Sequence, residues 1–226
     1  MIEYKPESYL VPYSERDPEG KGLYGTKQIL TNPLFDKLSK RMREEFIPKH
    51  KYILFSLCTK TRPYINSLKW KCFIKNFEKY CDLVIASSGG IIPLEYSYCY
   101  PFLQYDDYVD PVTKKSKVVH SKEINTLYNE KFINRLDAFL KLHESKYEKL
   151  IFAFLPTTRN RKALLEHYKD RNNFYIVPSL EVYEKVLKEG SPGVNVFHYP
   201  HNAHQSIEEI YNILGVKSNK KRGKLF

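Results

Sequence analysis

Short apolar runs alternate with helical patterns over most of the chain. The apolar runs predict five buried strands, at 52–57, 83–86, 150–155, 174–177 and 194–197. Apolar positions at helical spacing predict helices at 66–80, 121–145, 159–169, 180–189 and 205–214. Strands separated by helices are typical of a mostly parallel sheet that is covered on both faces. The pattern therefore predicts an α/β fold, a three-layer sandwich with a mostly parallel central sheet.

The two ends of the chain lack this alternation. Residues 1–30 are interrupted by prolines and glycines, which predicts an irregular N-terminal arm. Asn32 and Pro33 are a favoured N-cap and first helical residue, and a helical stripe follows as far as Pro48. Residues 216–226 form a basic tail. We therefore predict one α/β domain over 31–215.

Composition narrows the class of protein. The chain of 226 residues has no apolar run of about 18 residues and no signal-peptide pattern at its start, so we expect a cytoplasmic protein without a membrane partner. The net charge of +11 favours a nucleic acid such as tRNA as the partner, although a lysine-rich surface also serves solubility. The four cysteines form no CxxC pair, so we expect reduced thiols, no metal site and no cofactor.

Ligands of open α/β sheets bind beyond the carboxyl ends of the strands, which directs attention to the loop after the first strand. This loop carries Cys58, Lys60, Arg62 and Ser67 and leads into a helix. A helix N-terminus attracts anions, and arginine can hold a phosphate or carboxylate at two points. Cys58 is a candidate nucleophile or a buried structural thiol, and the loop is a candidate binding site or an ordinary capped connection.

The loop after the second strand reads Ser87-Ser88-Gly89-Gly90 and continues to Glu95. Ser88, Gly89 and Gly90 allow a ligand to approach the backbone closely. Glu95 is a candidate general base or base-binding carboxylate, or a solvated residue at a helix start. An aromatic run ends at Asp106 and predicts either a stacking platform or packing under a long loop; its members are Tyr96, Tyr98, Tyr100, Phe102 and Tyr105.

These two loops resemble one known family. The pattern C-x3-RPY-x2-S, at Cys58, Arg62, Pro63, Tyr64 and Ser67, is similar to the P-C-x3-K-P-Y-x2-S-x2-H signature of the archaeosine synthases. The stretch SSGGIIPLE and the aromatic–Asp segment beyond it are similar to that family's S-S-P-L-G-x-V-P-x-E-L-E region. These enzymes are archaeal relatives of tRNA-guanine transglycosylase whose core domain is similar to uracil-DNA glycosylase.

The resemblance implies an activity: addition of an amine, lysine, to the nitrile of 7-cyano-7-deazaguanine in tRNA. It implies that Arg62, Tyr64, Ser67 and Glu95 bind the base or the amine, and that Cys58 and Asp106 have covalent or acid–base roles. Three residues depart from the family pattern: Leu57 replaces Pro, Arg62 replaces Lys and Trp70 replaces His. No PUA-type tRNA-binding domain is recognisable after Leu214, so we expect a transglycosylase or tRNA-binding partner subunit.

Two further groups of residues follow later strands. His198, His201 and His204 recur every three residues; they indicate a pocket histidine at His198, a metal site or simple helix capping. Arg159, Arg161 and Lys162 open a helix, where cations are unfavourable, so they predict a nucleic-acid contact or a solvated turn. Two alternative functions remain open: a hydrolase similar to uracil-DNA glycosylase, and a non-catalytic subunit that binds nucleic acid.

Overall fold

Five strands form the central sheet of the computed structural model, in the spatial order β3-β2-β1-β4-β5. Their bounds are Tyr52–Leu57 (β1), Cys81–Ser87 (β2), Gly90–Pro93 (β3), Lys149–Ala153 (β4) and Phe174–Val177 (β5). β1 pairs in parallel with β2 and with β4, and β4 pairs in parallel with β5, whereas β3 is antiparallel to β2. The structure describes residues 2–17, 19, 23–106, 121–196 and 200–217, without the side chain of Arg159.

Seven α-helices accompany the sheet within the described residues. Their bounds are Thr26–Thr31 (α1), Pro33–Glu45 (α2), Leu68–Phe77 (α3), Lys122–His143 (α4), Arg159–Tyr168 (α5), Leu180–Glu189 (α6) and His204–Leu214 (α7). The Asn32 side chain accepts a hydrogen bond from Leu34 N, so the predicted cap starts α2. Short 3-10 helices at Tyr64–Asn66 and Pro200–Asn202 lie close to the site described below.

Side chains that alternate along the strands build a core on each face of the sheet. Leu54, Leu83 and Ile85 pack with residues of α2, α3 and α7 on one face. Phe55 and Phe152 pack with residues of α4 and α5 on the other face. Because parallel strands covered on both faces are buried throughout, they read as continuous apolar runs. The predicted three-layer α/β sandwich is confirmed.

The fifth strand differs from the prediction. In the described part of 194–197, Val194 forms only an isolated bridge with Ser191, so the predicted strand there is wrong. Val194 and Val196 instead pack against Val186 and Ala203 in a small separate cluster. The strand that completes the sheet is β3, which lies where a loop was predicted, because the turn at Ser88-Gly89 folds the chain back onto β2.

The predicted irregular arm is partly helical and lies against the domain. Thr26–Thr31 forms α1. Lys5 N donates to Glu95 O at 2.8 Å, and Gly25 N donates to Asp106 O at 2.9 Å. Among the described helices, none has the length and apolar character needed to cross a bilayer.

Candidate functional site

Two edges of the sheet carry polar side chains. The carboxyl edge comprises the ends of β1 and β2 with the segments that follow them, at 57–58 and 87–89. The amino edge comprises the starts of the same strands with the residues before β1, at 49–52 and 81–82. Because β1 and β2 are parallel, the predicted loops after both strands meet at the carboxyl edge.

Ser67 holds the start of α3. Its side chain accepts a hydrogen bond from Trp70 N at 3.2 Å, and the residue is buried. The Ser67 hydroxyl oxygen is therefore the N-cap of the helix, the alternative role that the sequence left open for this loop.

Arg62 lies over two buried aromatic rings. Its guanidinium carbon is 4.2 Å from the ring centroid of Tyr64 and 4.9 Å from that of Tyr105. Tyr64 and Tyr105 share a hydrogen bond between their hydroxyl groups, and Tyr105 Oη donates to Ser87 Oγ at 2.6 Å. Gly89 N also donates to Ser87 Oγ, at 3.0 Å. This chain of hydrogen bonds joins the two loops, and burial raises the pKa of Tyr64 so that it stays neutral.

Lys69 is a charged residue of this edge that the sequence-based prediction missed. It is only 6% exposed, and its ammonium group donates to the backbone oxygen of Leu57, directly before Cys58. Its Nζ atom is 5.7 Å from the centroid of the Trp70 ring. Burial lowers the pKa of Lys69 to about 8, and the nearby Cys58 opposes that shift.

Two buried nitrogen atoms beside Lys69 have no hydrogen-bond partner among the residues that the structure describes. They are Trp70 Nε1 and His201 Nδ1, on residues that are 0% and 8% exposed. The His201 ring contacts Phe73, which in turn contacts Trp70. Burial, followed by the charge of Lys69, holds the pKa of His201 well below its usual value, so its ring is neutral. Unpaired buried polar groups are rare in native proteins, and binding sites are one place where they occur.

A sequence signal for Lys69 was present. Lys69 stands in the first turn of α3, two residues after the Ser67 cap. A cation there opposes the helix dipole, the same argument that drew attention to the basic turn at Arg159.

The glycines of the second loop have a packing role. A Cβ atom on Gly89 would lie 3.2 Å from the rings of Phe35 and Tyr105. Gly90 has a φ of +142°, and a Cβ atom there would lie 2.4 Å from Ser39 Oγ. The backbone of this loop therefore needs glycine because protein groups approach it, without any ligand.

Ser88 is tied to the long helix on the opposite face. Its backbone oxygen accepts a hydrogen bond from Arg135 Nη1 at 2.7 Å. Arg135 is held in turn by Asp36, at 2.8 Å. The ion pair fixes the position of the turn between β2 and β3.

Glu95 lies at the amino edge, away from Cys58, Arg62 and Ser67. Its carboxylate is 3.6 Å from Lys49 Nζ. Both side chains line a cavity of about 200 Å³ that also includes His50 and Asp82. Burial raises the pKa of Glu95, and Lys49 opposes the shift. The structure therefore does not bring Glu95 into one cavity with the motif residues of the first loop, because β3 carries the chain back across the sheet.

Asp82 at the amino edge is fully satisfied. It accepts hydrogen bonds from the backbone N–H groups of Lys49 and His50, at 3.0 and 3.3 Å. It also contacts His50 Nδ1 at 2.8 Å and accepts from Tyr147 Oη at 2.9 Å. Four contacts on one carboxylate indicate a structural anchor for the start of β1.

Asp106 joins the N-terminal arm to the domain through its backbone. It forms an isolated bridge with Tyr24, and its N–H donates to Leu23 O at 2.9 Å. The aromatic run before it is mostly packing: four of its five members are at most 3% exposed, and these are Tyr96, Tyr100, Phe102 and Tyr105.

The basic turn after β4 divides into two kinds of residue. Arg161 is 6% exposed and donates to the backbone oxygens of Phe154 and Pro178, at 2.7 and 2.6 Å. Its guanidinium therefore ties the ends of β4 and β5 together, and its contact with nucleic acid stays a prediction. Lys162 is exposed and pairs loosely with Glu166, at 3.8 Å. Lys60 is also exposed.

Two predicted residues lie outside the described parts of the structure: His198 and the side chain of Arg159. His204 Nδ1 is 3.1 Å from Ser191 Oγ, and Ser191 Oγ accepts a hydrogen bond from His204 N at 3.2 Å. No cluster of three histidine, cysteine or acidic side chains suited to a metal ion occurs in the described ranges.

Comparisons with known proteins identify a family, but its description states no function. A crystal structure of AF0587, a protein of unknown function, matches 83% of this chain with a TM-score of 0.48 and 16% identity. The chain spans about half of that protein's length, 52%. No curated protein matches significantly. Residues 35–177 match the family described as "Domain of unknown function (DUF5591)", a segment that contains all five strands. The chain therefore belongs to the DUF5591 family.

Proposed function

We propose that this protein modifies a deazaguanine-type base in tRNA at the carboxyl edge, by adding a primary amine to a nitrile as the archaeosine synthases do. The proposal joins the motif resemblance in the first two loops to one structural observation. Hydrogen-bond donors without a protein partner lie beside a buried ammonium group, next to a cation stacked on aromatic rings.

The donors suit the acceptor groups of such a base. A 7-cyano-7-deazaguanine carries acceptors at the ring carbonyl and at the nitrile nitrogen. Lys69 has ammonium hydrogens beyond the one given to Leu57 O, and Trp70 Nε1 is a donor only. The orphan Nδ1 of His201 can donate or accept, according to its tautomer. Binding the base would satisfy groups that otherwise carry a desolvation penalty of about 1–3 kcal/mol each.

Trp70 supports binding of the base at this site, although the resembling family has histidine at this position. Histidine and tryptophan both offer a ring N–H. Trp70 is wholly buried and keeps its N–H free of protein partners. We propose that the indole N–H replaces the imidazole N–H as a donor to the base.

The position of Arg62 suits binding of a phosphate group or stacking against a base of the ligand. Its position over Tyr64 and Tyr105 fixes the plane of the guanidinium. A planar guanidinium offers paired donors to phosphate and a flat surface for stacking. The net charge of +11 adds a long-range attraction for tRNA.

The test is incubation of the full chain with tRNA that carries 7-cyano-7-deazaguanine and with labelled lysine. We expect label to enter the tRNA, and Trp70→Phe to reduce the transfer about 10-fold or more because one donor to the base is lost. Tyr147→Phe is the matched control, since it removes a donor from a buried aromatic residue at the amino edge. Absence of transfer, where a full-length archaeosine synthase succeeds, would overturn the catalytic proposal.

Binding of the same tRNA separates the two remaining functions. Retained, salt-dependent binding without transfer would favour a non-catalytic binding subunit. Release of a free base from the nucleic acid would favour a glycosylase.

A further inference from the structure

A buried ammonium group needs an anion nearby, and Lys69 has no carboxylate partner among the described residues. Its one hydrogen bond goes to a neutral backbone oxygen, that of Leu57. Burying a charge without a counter-ion is costly. The group that favours the charged form of Lys69 is the thiol of Cys58, the residue after Leu57.

The other ionisable groups around Cys58 are two neutral side chains, one exposed lysine and the partly buried Arg62. Tyr64, whose charged form interacts with that of Cys58, has a raised pKa because it is buried. His201, beside Lys69, has a lowered pKa and is neutral. Arg62 lies over the ring of Tyr64, and Lys60 is exposed two residues along the chain. Lys69 is therefore the buried cation that faces Cys58.

Cys58 differs from the other cysteines in exposure. None of the four cysteines, all of them among the described residues, forms a disulfide, and Cys58 is only partly buried. Cys72, Cys81 and Cys99 are 3%, 1% and 0% exposed. Burial raises the pKa of Cys99 to about 12, and it also raises the pKa of Cys81 strongly. A reagent in solution can therefore reach Cys58, whereas the other three thiols are buried.

We propose that Cys58 is a nucleophilic thiolate whose counter-ion is the Lys69 ammonium, and that it takes an electrophilic carbon as its substrate. Cys58 stands at the carboxyl end of β1, directly after the residue whose backbone oxygen holds the Lys69 ammonium. The ion pair itself does not depend on the proposed function, but the identity of the electrophile rests on it.

The chemical step follows from these groups. The Cys58 sulfur forms a bond to the nitrile carbon, and one carbon–nitrogen π bond opens onto the nitrogen. That nitrogen takes a proton from the Lys69 ammonium, which leaves a thioimidate and a neutral Lys69. A primary amine then forms a bond to the same carbon. The carbon–sulfur bond breaks, and the proton lost by the amine restores the charge of Lys69. The products are an amidine and the original thiolate–ammonium pair.

The rate of alkylation by iodoacetamide, followed against pH on the full chain, tests the ion pair. Peptide mapping by mass assigns the product to Cys58. We expect the midpoint of the wild-type profile to lie at least about one pH unit below that of an ordinary thiol, ~8.5. Lys69→Met should raise the midpoint by about one unit or more, which lowers the thiolate fraction at pH 7 about 10-fold. Lys69→Arg should keep the midpoint low.

Lys71→Met is the control, since Lys71 is an exposed lysine on the same helix. Its profile should match that of the wild type. A wild-type midpoint at the ordinary value would overturn the proposal, and so would equal midpoints in the wild type and Lys69→Met. The first of these results needs no variant, so it decides the matter even if Lys69→Met fails to fold.

Intact-mass measurement with free 7-cyano-7-deazaguanine tests the electrophile separately. We expect an increase equal to the mass of the base in the wild type and none in Cys58→Ser. A low alkylation midpoint without this adduct would support the ion pair and count against the addition step. An adduct on Cys58 without lysine transfer to tRNA would support this inference and overturn the function proposed above.

Discussion

The two edges of the sheet use buried polar groups in opposite ways. At the amino edge, the Asp82 carboxylate is matched by four donor contacts, two from the backbone before β1. At the carboxyl edge, Lys69 has one backbone partner within the described ranges, and Trp70 Nε1 and His201 Nδ1 have none there. A satisfied network adds stability and specifies the fold, whereas unsatisfied donors cost stability and are kept where a ligand uses them. The comparison therefore indicates a structural role for the amino edge, and it supports placing the proposed site at the carboxyl edge.

The largest expected effect is on stability at the amino edge. Asp82→Ala leaves the Tyr147 hydroxyl and two backbone N–H groups without their acceptor, so we expect the free energy of unfolding to fall by about 3 kcal/mol. Tyr147→Phe removes one of the contacts and should cost about 1 kcal/mol. Urea denaturation measures both. An Asp82→Ala protein as stable as the wild type would remove the structural assignment of this edge.

The second prediction concerns the pH dependence that Lys69 brings to the carboxyl edge. Its folded pKa of about 8 is below the unfolded value of 10.5. Between these values the unfolded chain binds the proton and the folded chain does not, so stability rises with pH. We expect this group to add about 2 kcal/mol to the free energy of unfolding between pH 8 and pH 10.

Lys69→Met should lose that rise, and Lys71→Met should keep it. Urea denaturation at fixed pH values below 10 measures the rise before the tyrosines of the unfolded chain ionise. An equal rise in all three proteins would mean that Lys69 is charged in the folded protein over this range, and the contrast between the edges would weaken.

The two edges also differ in how much of their structure the sequence could predict. The apolar runs of β1, β2 and β4 reveal buried strands because both faces of the sheet are covered there, and the apolar run of β5 reveals a strand that is only partly buried. The rule that sites lie beyond strand ends directed attention to the loop at Cys58, where the structure places the buried Lys69 ammonium on the backbone oxygen of Leu57. Periodicity does not encode where a chain turns back, so the antiparallel β3 was missed and Glu95 was expected at the wrong edge.

The polar contacts of the site could not be predicted from local sequence patterns either. The sequence of the basic turn at Arg161 predicts an anion site. In the structure, the Arg161 guanidinium donates to backbone oxygens at the ends of two strands. Those partners are 7 and 17 residues away along the chain, so only the packing of β4 against β5 reveals them. His201 reads as a cap or a metal ligand, and its burial beside Lys69 depends on contacts between distant segments.

The third prediction concerns the stability that the protein loses at low pH because His201 is buried at the carboxyl edge. The pKa of His201 in the folded protein lies well below the usual histidine value of 6.5. The unfolded chain therefore takes up the proton first as pH falls, and stability is lost below about pH 6.5. We expect this group to cost about 1 kcal/mol between pH 6.5 and pH 5.5, and His201→Gln should not show that loss.

His167→Gln is the matched control, because the His167 side chain is 45% exposed. It should keep the acid sensitivity of the wild type in thermal or urea denaturation. If His201→Gln were as acid-sensitive as the wild type, the imidazole would have found a partner or solvent, and its unpaired nitrogen would no longer support a ligand site.

The smallest expected effect compares one exposed lysine from each edge. Lys162 opens α5 beyond the end of β4, and Lys51 precedes β1; their side chains are 85% and 60% exposed. Each pairs with a glutamate, at 3.8 and 3.2 Å. If tRNA binds across the carboxyl edge, Lys162→Gln should weaken its binding about 2-fold and lower the slope of log affinity against log salt by about one phosphate contact. Lys51→Gln carries the same loss of charge at the amino edge, so it should leave both quantities unchanged. Equal effects of the two substitutions, measured by filter binding over a salt series, would mean that tRNA responds to net charge alone and that neither edge is its docking surface.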